Sequence, residues 1–322
     1  MFAVTAQSFS SDEPLSGLVL GERPEPVVPD GWTTVTVKAA SLNHHDLWSL
    51  RGVGLKQEAL PMILGCDAAG HDEEGNEVVV HAVVSDPDWL GDETLDPRRS
   101  LLSERYQGTF AERVAVPRRN VVPKPRSLSF EEAACLPTAW LTAYRMLFTQ
   151  GGLKAGDTVL VQGAGGGVAT ALISLARAGG LKVLATSRDE AKRAKALELG
   201  AHEVLESGER LPAKVDAVME TVGRATWTHS IRSLRPGGKI VISGTTSGPK
   251  LEDALLPNIF FLQLSVIGST MGTRDELAAL VTMLDATGVR PLLDRTLPME
   301  EAREGFAAMA EGDVFGKIVL TR

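Results

Sequence analysis

Three consecutive glycines, Gly165-Gly166-Gly167, carry the chain from an apolar, β-branched run at Thr158 to Val161 into a helical pattern. Small residues let a backbone pass close to a phosphate, and glycine tolerates conformations that a Cβ forbids. Ala164-Gly165-Gly166-Gly167-Val168-Ala169 fits the frame G-x-G-x-x-G/A, with alanine at its first and last positions. A helix starting near Val168 would turn unpaired N–H groups and a positive dipole end toward an anion. Leu172, Leu175 and Ala176 follow at helical spacing and should face a sheet. Strand, tight turn, helix and strand together make the mononucleotide half of a dinucleotide-binding fold, so a pyridine nucleotide is the expected cofactor.

The tip of the second strand bears on which nucleotide. It reads Ala185-Thr186-Ser187-Arg188, without the acid that an NAD site usually places on the ribose 2′-hydroxyl. Ser187 can donate to a 2′-phosphate, and Arg188 and Lys192 can pair with it, so NADP(H) is favoured over NAD(H). Asp189 is expected to cap the next helix, which stops at Gly200.

These residues need elements to hold them. Strands are predicted at Val215 to Thr221, Lys239 to Ser243 and Leu264 to Ser269, alternating with helical patterns; Pro236-Gly237-Gly238 reads as the turn into the strand at Lys239. The alternation implies a parallel sheet covered on both faces, the α/β Rossmann class of doubly wound sheet. Earlier, Glu131 begins a helix expected to run through Phe148, with Ser129 as N-cap and Glu132 completing a capping box. The first third differs. Val35 to Ala39 and Glu77 to His81 read as strands among many prolines and glycines, an irregular β-rich domain. Ser85 to Gln107 is polar and loop-like, expected to be a mobile flap or an unstructured remnant. Lys317 to Leu320 closes the chain as a strand.

Composition narrows the partners. The 322 residues are 43% hydrophobic and 23% charged, enough for two cores. A net charge of −8 argues against nucleic acid or an anionic membrane as the main partner. The N-terminus lacks a basic region followed by an apolar core, and no apolar run is long enough to span a bilayer, so a reducing cytoplasm is expected. Two cysteines, Cys66 and Cys135, do not suggest a secreted scaffold.

Several segments line up, in order, with one family. They are Ser41 to Trp48 (SLNHHDLW), Leu64 to Gly70 (LGCDAAG), Gly108 to Glu112, Leu141 to Tyr144, the glycine turn, Leu234 to Gly238, Gly268 to Gly272 and Phe315 to Val319. The chain resembles the medium-chain dehydrogenase/reductase superfamily, in its zinc-free quinone oxidoreductase-like and zinc-type alcohol dehydrogenase-like branch. That resemblance implies a β-rich GroES-like catalytic domain over residues 1–123 and 273–322, and a Rossmann domain over 124–272. It also implies a homodimer paired through the strand near Leu264 to Ser269, which an exposed apolar edge would favour in any case.

Zinc alcohol dehydrogenases of this superfamily use Cys, His and Cys. Here the first ligand position falls on Asn43, the second on Cys66 and the third near Ala134, so no metal is expected. A rival grouping of His44, His45, Cys66 and Cys135 is disfavoured because adjacent histidines point different ways. Without a metal, the hydride belongs to the cofactor and the protein must meet charge developing on a carbonyl oxygen. The resemblance puts Asn43 first as donor, with His45, Tyr106 or the nicotinamide ribose as other candidates. Asp46 would hold the loop or form a turn. Thr142 falls in the segment that resembles the nicotinamide-contacting helix start. Ser243-Gly244-Thr245 and Gly268-Ser269-Thr270 end strands and are candidate nicotinamide contacts. Lys317 is a candidate for the phosphates. The expected activity is NADP(H)-dependent reduction of a small electrophilic carbonyl compound, a quinone or an α,β-unsaturated ketone. The alternatives are an alcohol dehydrogenase with a degenerate zinc site, or an NADPH-binding redox sensor without turnover.

Overall fold

The computed structural model describes residues 1–322. Two compact units emerge: Met1–Leu141 with Met271–Arg322, and Thr142–Thr270. The first unit therefore runs on past the expected boundary at residue 123. The reason is polar: Ser41 Oγ donates to the Ala134 carbonyl at 3.0 Å, and Thr138 Oγ1 donates to Asp67 at 2.5 Å, tying the segment after Phe130 to the β-rich unit. The return begins at Met271, slightly before residue 273.

The second unit is a six-stranded sheet in the order Glu203–Leu205, Lys182–Thr186, Thr158–Val161, Val215–Glu220, Leu234–Ile242, Ser265–Gly268. Every pairing in it is parallel. The chain winds outward from Thr158–Val161 to one edge, then crosses to its other side and winds to the opposite edge. The crevice of such a sheet lies where that order reverses, beyond the carboxyl ends of Thr158–Val161 and Val215–Glu220. The helix Gly167–Ala178 buries Leu172, Leu175 and Ala176, as the spacing predicts, and buries Ile173 besides. Asp189 caps Glu190–Leu199 by accepting the Lys192 N–H, and Gly200 stops that helix at φ 117°. Pro236 to Gly238 is absorbed into the strand Leu234–Ile242; its turn character survives as a register shift against Val215/Ala217 and a Gly237 φ of 72°.

The first unit carries a seven-stranded sheet. Trp32–Ser41 lies at its centre and pairs antiparallel with Asp67–His71, Arg113–Pro117 and the returning strand Lys317–Thr321. The helix Ala302–Glu311 supports the return. Its Phe306 is fully buried and meets Phe110 edge to face at a centroid distance of 6.1 Å. The predicted helix from Glu131 to Phe148 forms, but as α-helical turns at Phe130–Ala133 and Leu141–Tyr144 alternating with π-helical turns at Leu136–Trp140 and Arg145–Gln150. Pro137, which has no N–H to donate, sits in the first π turn. Ser129 and Glu132 do form the capping box.

The segment from Ser85 to Gln107 is structured rather than a bare flap. Val83–Val84 pairs with Ser100–Leu101. Asp96, fully buried, accepts the N–H groups of Asp86 and Arg98, each at 2.7 Å, and so folds the polar stretch onto itself. Its acidic residues are acceptors for backbone donors, and that role left no apolar periodicity to read.

Truncating Phe306 tests whether the return is integral to the first unit. Phe306→Ala should lower unfolding stability by about 3–5 kcal/mol in urea melts, because a fully buried ring leaves a cavity; a loss below about 1 kcal/mol would mean the return segment is only loosely attached.

Candidate functional site

Each unit assembles its own set of functional side chains. In the second unit the cofactor candidates lie after parallel strands, and therefore along one edge of the sheet. Ala164 to Val168 follows Thr158–Val161, Ser187 and Arg188 follow Lys182–Thr186, Ser243 to Thr245 follows Leu234–Ile242, and Ser269 and Thr270 follow Ser265–Gly268, whose last residue is Gly268 itself. Thr142 stands at the start of the unit and is buried.

The glycine turn has room for a ligand. Gly166 is the N-cap of Gly167–Ala178 and no side chain caps it, so the first N–H groups of a twelve-residue helix have no side-chain acceptor. A Cβ built on Gly166 would meet nothing within 4 Å, whereas one on Gly165 would come within 2.9 Å of Lys192 Cδ. The Lys192 side chain thus lies across the glycine turn. Ser187 Oγ accepts the Asp189 N–H at 3.2 Å and keeps its hydroxyl proton, while Arg193, read only as helix interior, donates to the Ser187 carbonyl at 2.7 Å. Arg188 is exposed. An uncapped helix start behind glycines, with a basic strand tip free of acid, suits a dinucleotide phosphate. Two other candidates divide. Ser269 Oγ is enclosed with no hydrogen-bond partner, a polar atom with capacity left for a ligand. Ser243 Oγ is already directed at Met146 Sδ, 3.0 Å away.

In the first unit the sheet register dictates the arrangement. Ser41 stands opposite Asp67 on one side and opposite Val319 on the other, so the antiparallel register brings Lys317 level with Asn43. Asp67 is fully buried and accepts from Thr138 Oγ1, from Ser41 Oγ at 2.8 Å and from Asn43 Nδ2 at 2.8 Å. Lys317 Nζ donates to the Leu42 carbonyl and to Asn43 Oδ1, both at 2.6 Å, and lies 3.5 Å from Asp67 Oδ2. Two expectations change here. Asn43 was expected to be the leading donor to substrate, but its amide N–H groups go to Asp67 and to the Ser41 carbonyl, and its oxygen accepts the ammonium. Its hydrogen-bonding capacity is spent within the fold. Lys317 was expected at the cofactor phosphates, but its buried ammonium is held by these partners instead. Asp46 holds the loop as expected, accepting the Asn43 N–H at 2.8 Å and the Gly65 N–H at 3.1 Å.

His45, at the start of the helix His44–Leu50, stays partly exposed. Its Nε2 is 3.1 Å from Glu104 Oε1, and its Nδ1 is 3.5 Å from Cys66 Sγ, which donates to the Leu102 carbonyl at 3.2 Å. Burial alone would lower the imidazole pKa; the charge of Cys66 as a thiolate would raise it, and side-chain hydrogen bonds to Asp46, Cys66 and Glu104 raise it too, to well above its ordinary value. Burial pushes the Cys66 thiol up, with His45 pulling it partway back, so the sulfur is protonated at neutral pH. Burial also raises the Cys135 thiol, to about 12.

A zinc site can be tested on these donors. Donor atoms of His45, Asp46 and Cys66 lie within 4.8 Å of one another, while His44 is exposed and Cys135 bonds the Glu131 carbonyl, so the rival four-residue grouping does not assemble. The remaining three fit a dication poorly. Both Asp46 oxygens accept backbone N–H groups, and the Cys66 thiol is turned to the Leu102 carbonyl.

A doubly wound nucleotide unit set between the two parts of a β-rich unit, which the second part completes with a strand, defines a two-domain dehydrogenase. Two family models match: "Alcohol dehydrogenase GroES-like domain" over residues 29–126 and "Zinc-binding dehydrogenase" over residues 167–286. The chain is 28% identical to an acryloyl-coenzyme A reductase of Sulfurisphaera tokodaii, covering 95% of this chain and 97% of that one. It is 26% identical to a quinone oxidoreductase of Mus musculus, covering 92% and 90%. The crystal structure of an NAD-dependent alcohol dehydrogenase superposes with a TM-score of 0.92 at 34% identity, covering 100% of both chains. The chain belongs to the medium-chain dehydrogenase/reductase superfamily and is an oxidoreductase of that kind.

Sequence reasoning missed Asp67, Thr138 and Glu104. Asp67 had a usable signal: an acid inside the apolar run Leu64 to Ala69 is costly to bury unless paired.

Removing the ammonium tests the pairing. Lys317→Met should destabilise the protein by about 3–5 kcal/mol, because Asp67 is left buried and unpaired. Adding Asp67→Asn should restore most of that stability in chemical denaturation; equal losses in single and double variants would show that the two groups are not coupled.

Proposed function

We propose that the protein reduces a quinone or an α,β-unsaturated carbonyl compound with NADPH, without a metal. The observation that carries this reading is the uncapped helix start behind Gly165 to Gly167, beside a strand tip that offers Ser187 and Arg188 where an NAD site would offer an acid. The acryloyl-coenzyme A reductase and quinone oxidoreductase relatives support the substrate class. The two Asp46 oxygens, both taken by backbone N–H groups, support the absence of a metal.

The nicotinamide supplies a hydride when bound. With an enone, hydride addition at the β-carbon would push the C=C π electrons onto the carbonyl oxygen. The resulting enolate needs one proton. His45 is the donor we assign: its pKa is raised, it is partly exposed, Glu104 holds its Nε2, and the proton it gives is that on Nδ1, which meets only the weakly accepting Cys66 sulfur at 3.5 Å. Asn43, Asp67 and Lys317 keep the start of its helix fixed. Quinones and enones need less electrophilic help than plain ketones, so a protonated imidazole in place of a metal suits them. Free, buried cysteines fit a reducing cytoplasm, and no helix is long and apolar enough to cross a membrane.

We also propose a homodimer formed on the edge strand Ser265–Gly268. Val266 is 46% exposed on it, and Leu256, Phe260 and Phe261 of the helix just before it are 62%, 61% and 76% exposed. An open strand edge beside exposed aromatic rings invites pairing. Val266→Lys with Phe261→Ser should shift the molar mass in light scattering from dimer to monomer; a wild-type monomer would overturn the proposal.

Steady-state NADPH oxidation across a panel of quinones and enones, with metal content measured on the same sample, tests the activity. Turnover with less than stoichiometric zinc supports the reading, and stoichiometric zinc with alcohol oxidation would replace it by an alcohol dehydrogenase. NADPH binding with no turnover anywhere on the panel would favour a redox sensor. Arg188→Ala should weaken NADPH about tenfold or more and leave NADH nearly unchanged; equal losses would remove Arg188 from the 2′-phosphate.

A further inference from the structure

We infer that Glu104 is a positioning residue for His45: its carboxylate fixes the imidazole ring as a donor, and the tight turn around Ser103 exists to present it. The inference rests on the reading of His45 as proton donor given above and adds to it a residue with no role so far.

The geometry converges on one turn. Glu104 Oε1 is 3.1 Å from His45 Nε2, and its other oxygen is clamped by the Leu101 N–H at 3.0 Å and the Ser100 hydroxyl at 3.4 Å. A carboxylate anchored through its other oxygen directs the ring orientation rather than following it. The same turn controls the far side of the ring, because the Leu102 carbonyl accepts the Cys66 thiol that lies against His45 Nδ1. Ser103, between these two residues, is fully buried and has a φ of 66°, a conformation rare for a residue other than glycine, asparagine or aspartate. Its N–H donates to the Tyr106 carbonyl at 2.9 Å, which closes the turn. Gly54 faces Glu104 from another loop; a Cβ there would stand 3.4 Å from Oε1. Backbone held in such sparsely populated regions clusters at functional sites. The exposure of both partners, 20% for His45 and 25% for Glu104, leaves the pair open to small molecules.

The titratable groups facing His45 are Asp46 from its own helix, Cys66 from the segment before strand Asp67–His71, and Glu104. Glu104 is the one of these on a separate loop. Asp46 accepts two backbone N–H groups, so replacing it would disturb the fold. Glutamine at position 104 keeps an oxygen acceptor for Leu101 and removes the charge.

The experiment uses the full-length protein. The His45 signal, identified by its loss in His45→Gln, is titrated by NMR in wild type, Glu104→Gln and Glu104→Asp without substrate. In parallel, kcat is measured against pH with NADPH and the best quinone or enone of the panel. A protonated donor gives a rate that is flat at low pH and falls as pH rises through the His45 value. Glu104→Gln should move both the NMR midpoint and the alkaline limb of kcat down by about one pH unit or more. That amounts to about a tenfold loss at alkaline pH, regained at pH 6, with KM for NADPH unchanged. Glu104→Asp should fall between. A Glu104→Gln midpoint and limb that match wild type would overturn the role of Glu104 while leaving the activity standing. A shifted midpoint with an unshifted limb would instead overturn His45 as the donor. A wild type that turns over nothing on the panel would overturn the reductase reading and with it the catalytic purpose of the turn.

Discussion

The ammonium of Lys317 sits where a chain of buried polar groups meets, and most of the first unit is organised around it. Asp67 cannot lie in an apolar run unless a cation and hydroxyl or amide donors reach it, and each donor comes from a different element. Ser41 comes from the central strand, Asn43 from the start of the following helix, Thr138 from the π turn and Lys317 from the return. Burying a charge pair is tolerable when its remaining hydrogen-bonding capacity is filled, and here it is. The sheet register then matters beyond hydrogen bonding, since a slip by one residue would turn Lys317 to the other face and leave Asp67 bare.

That arrangement gives a structural account of how a dehydrogenase of this superfamily can be built with an asparagine at the first ligand position and a cysteine in place of histidine at the second. The first holds an amide bonded to an ammonium. The second holds a thiol kept protonated by burial and turned to a backbone carbonyl. The groups around Asn43 are held by hydrogen bonds internal to the fold, so the proposed proton donor is the neighbouring imidazole. The second unit works on the opposite principle. The atoms proposed for the cofactor there are backbone N–H groups and strand-end hydroxyls left open by the parallel sheet, and they rest on the lack of side chains at Gly165 to Gly167.

The two kinds of site differ in how far they can be read from sequence. The nucleotide turn is local: strand, glycines, helix and basic tip follow one another within some thirty residues, and periodicity with glycine placement determines them. The fold class and the split of the β-rich unit were likewise legible, through motifs in family order. Lys317 was not, because a lysine at the head of a strand looks like surface, and only the pairing of Lys317–Thr321 with Trp32–Ser41 buries it. Asn43 was found but given the wrong task, since nothing local says that its amide is satisfied. Glu104 lay in a stretch that read as featureless, because the order there comes from carboxylates accepting backbone N–H groups and leaves no repeat.

The link from Lys317 to Asn43 spans 274 residues of sequence. Closing so long a loop costs little more at equilibrium than closing a short one, since the entropy grows only with the logarithm of length. On the ribosome the situation differs. The nascent β-rich unit must wait for the whole nucleotide unit to be translated before its missing strand arrives. In that interval the edge at Ala39 to Ser41 is unpaired and the carboxylate of Asp67 lacks its counter-ion. Such an intermediate is open to misassociation with other chains, so the burden on cellular chaperones should fall on the first half of the protein and lift when the return strand docks.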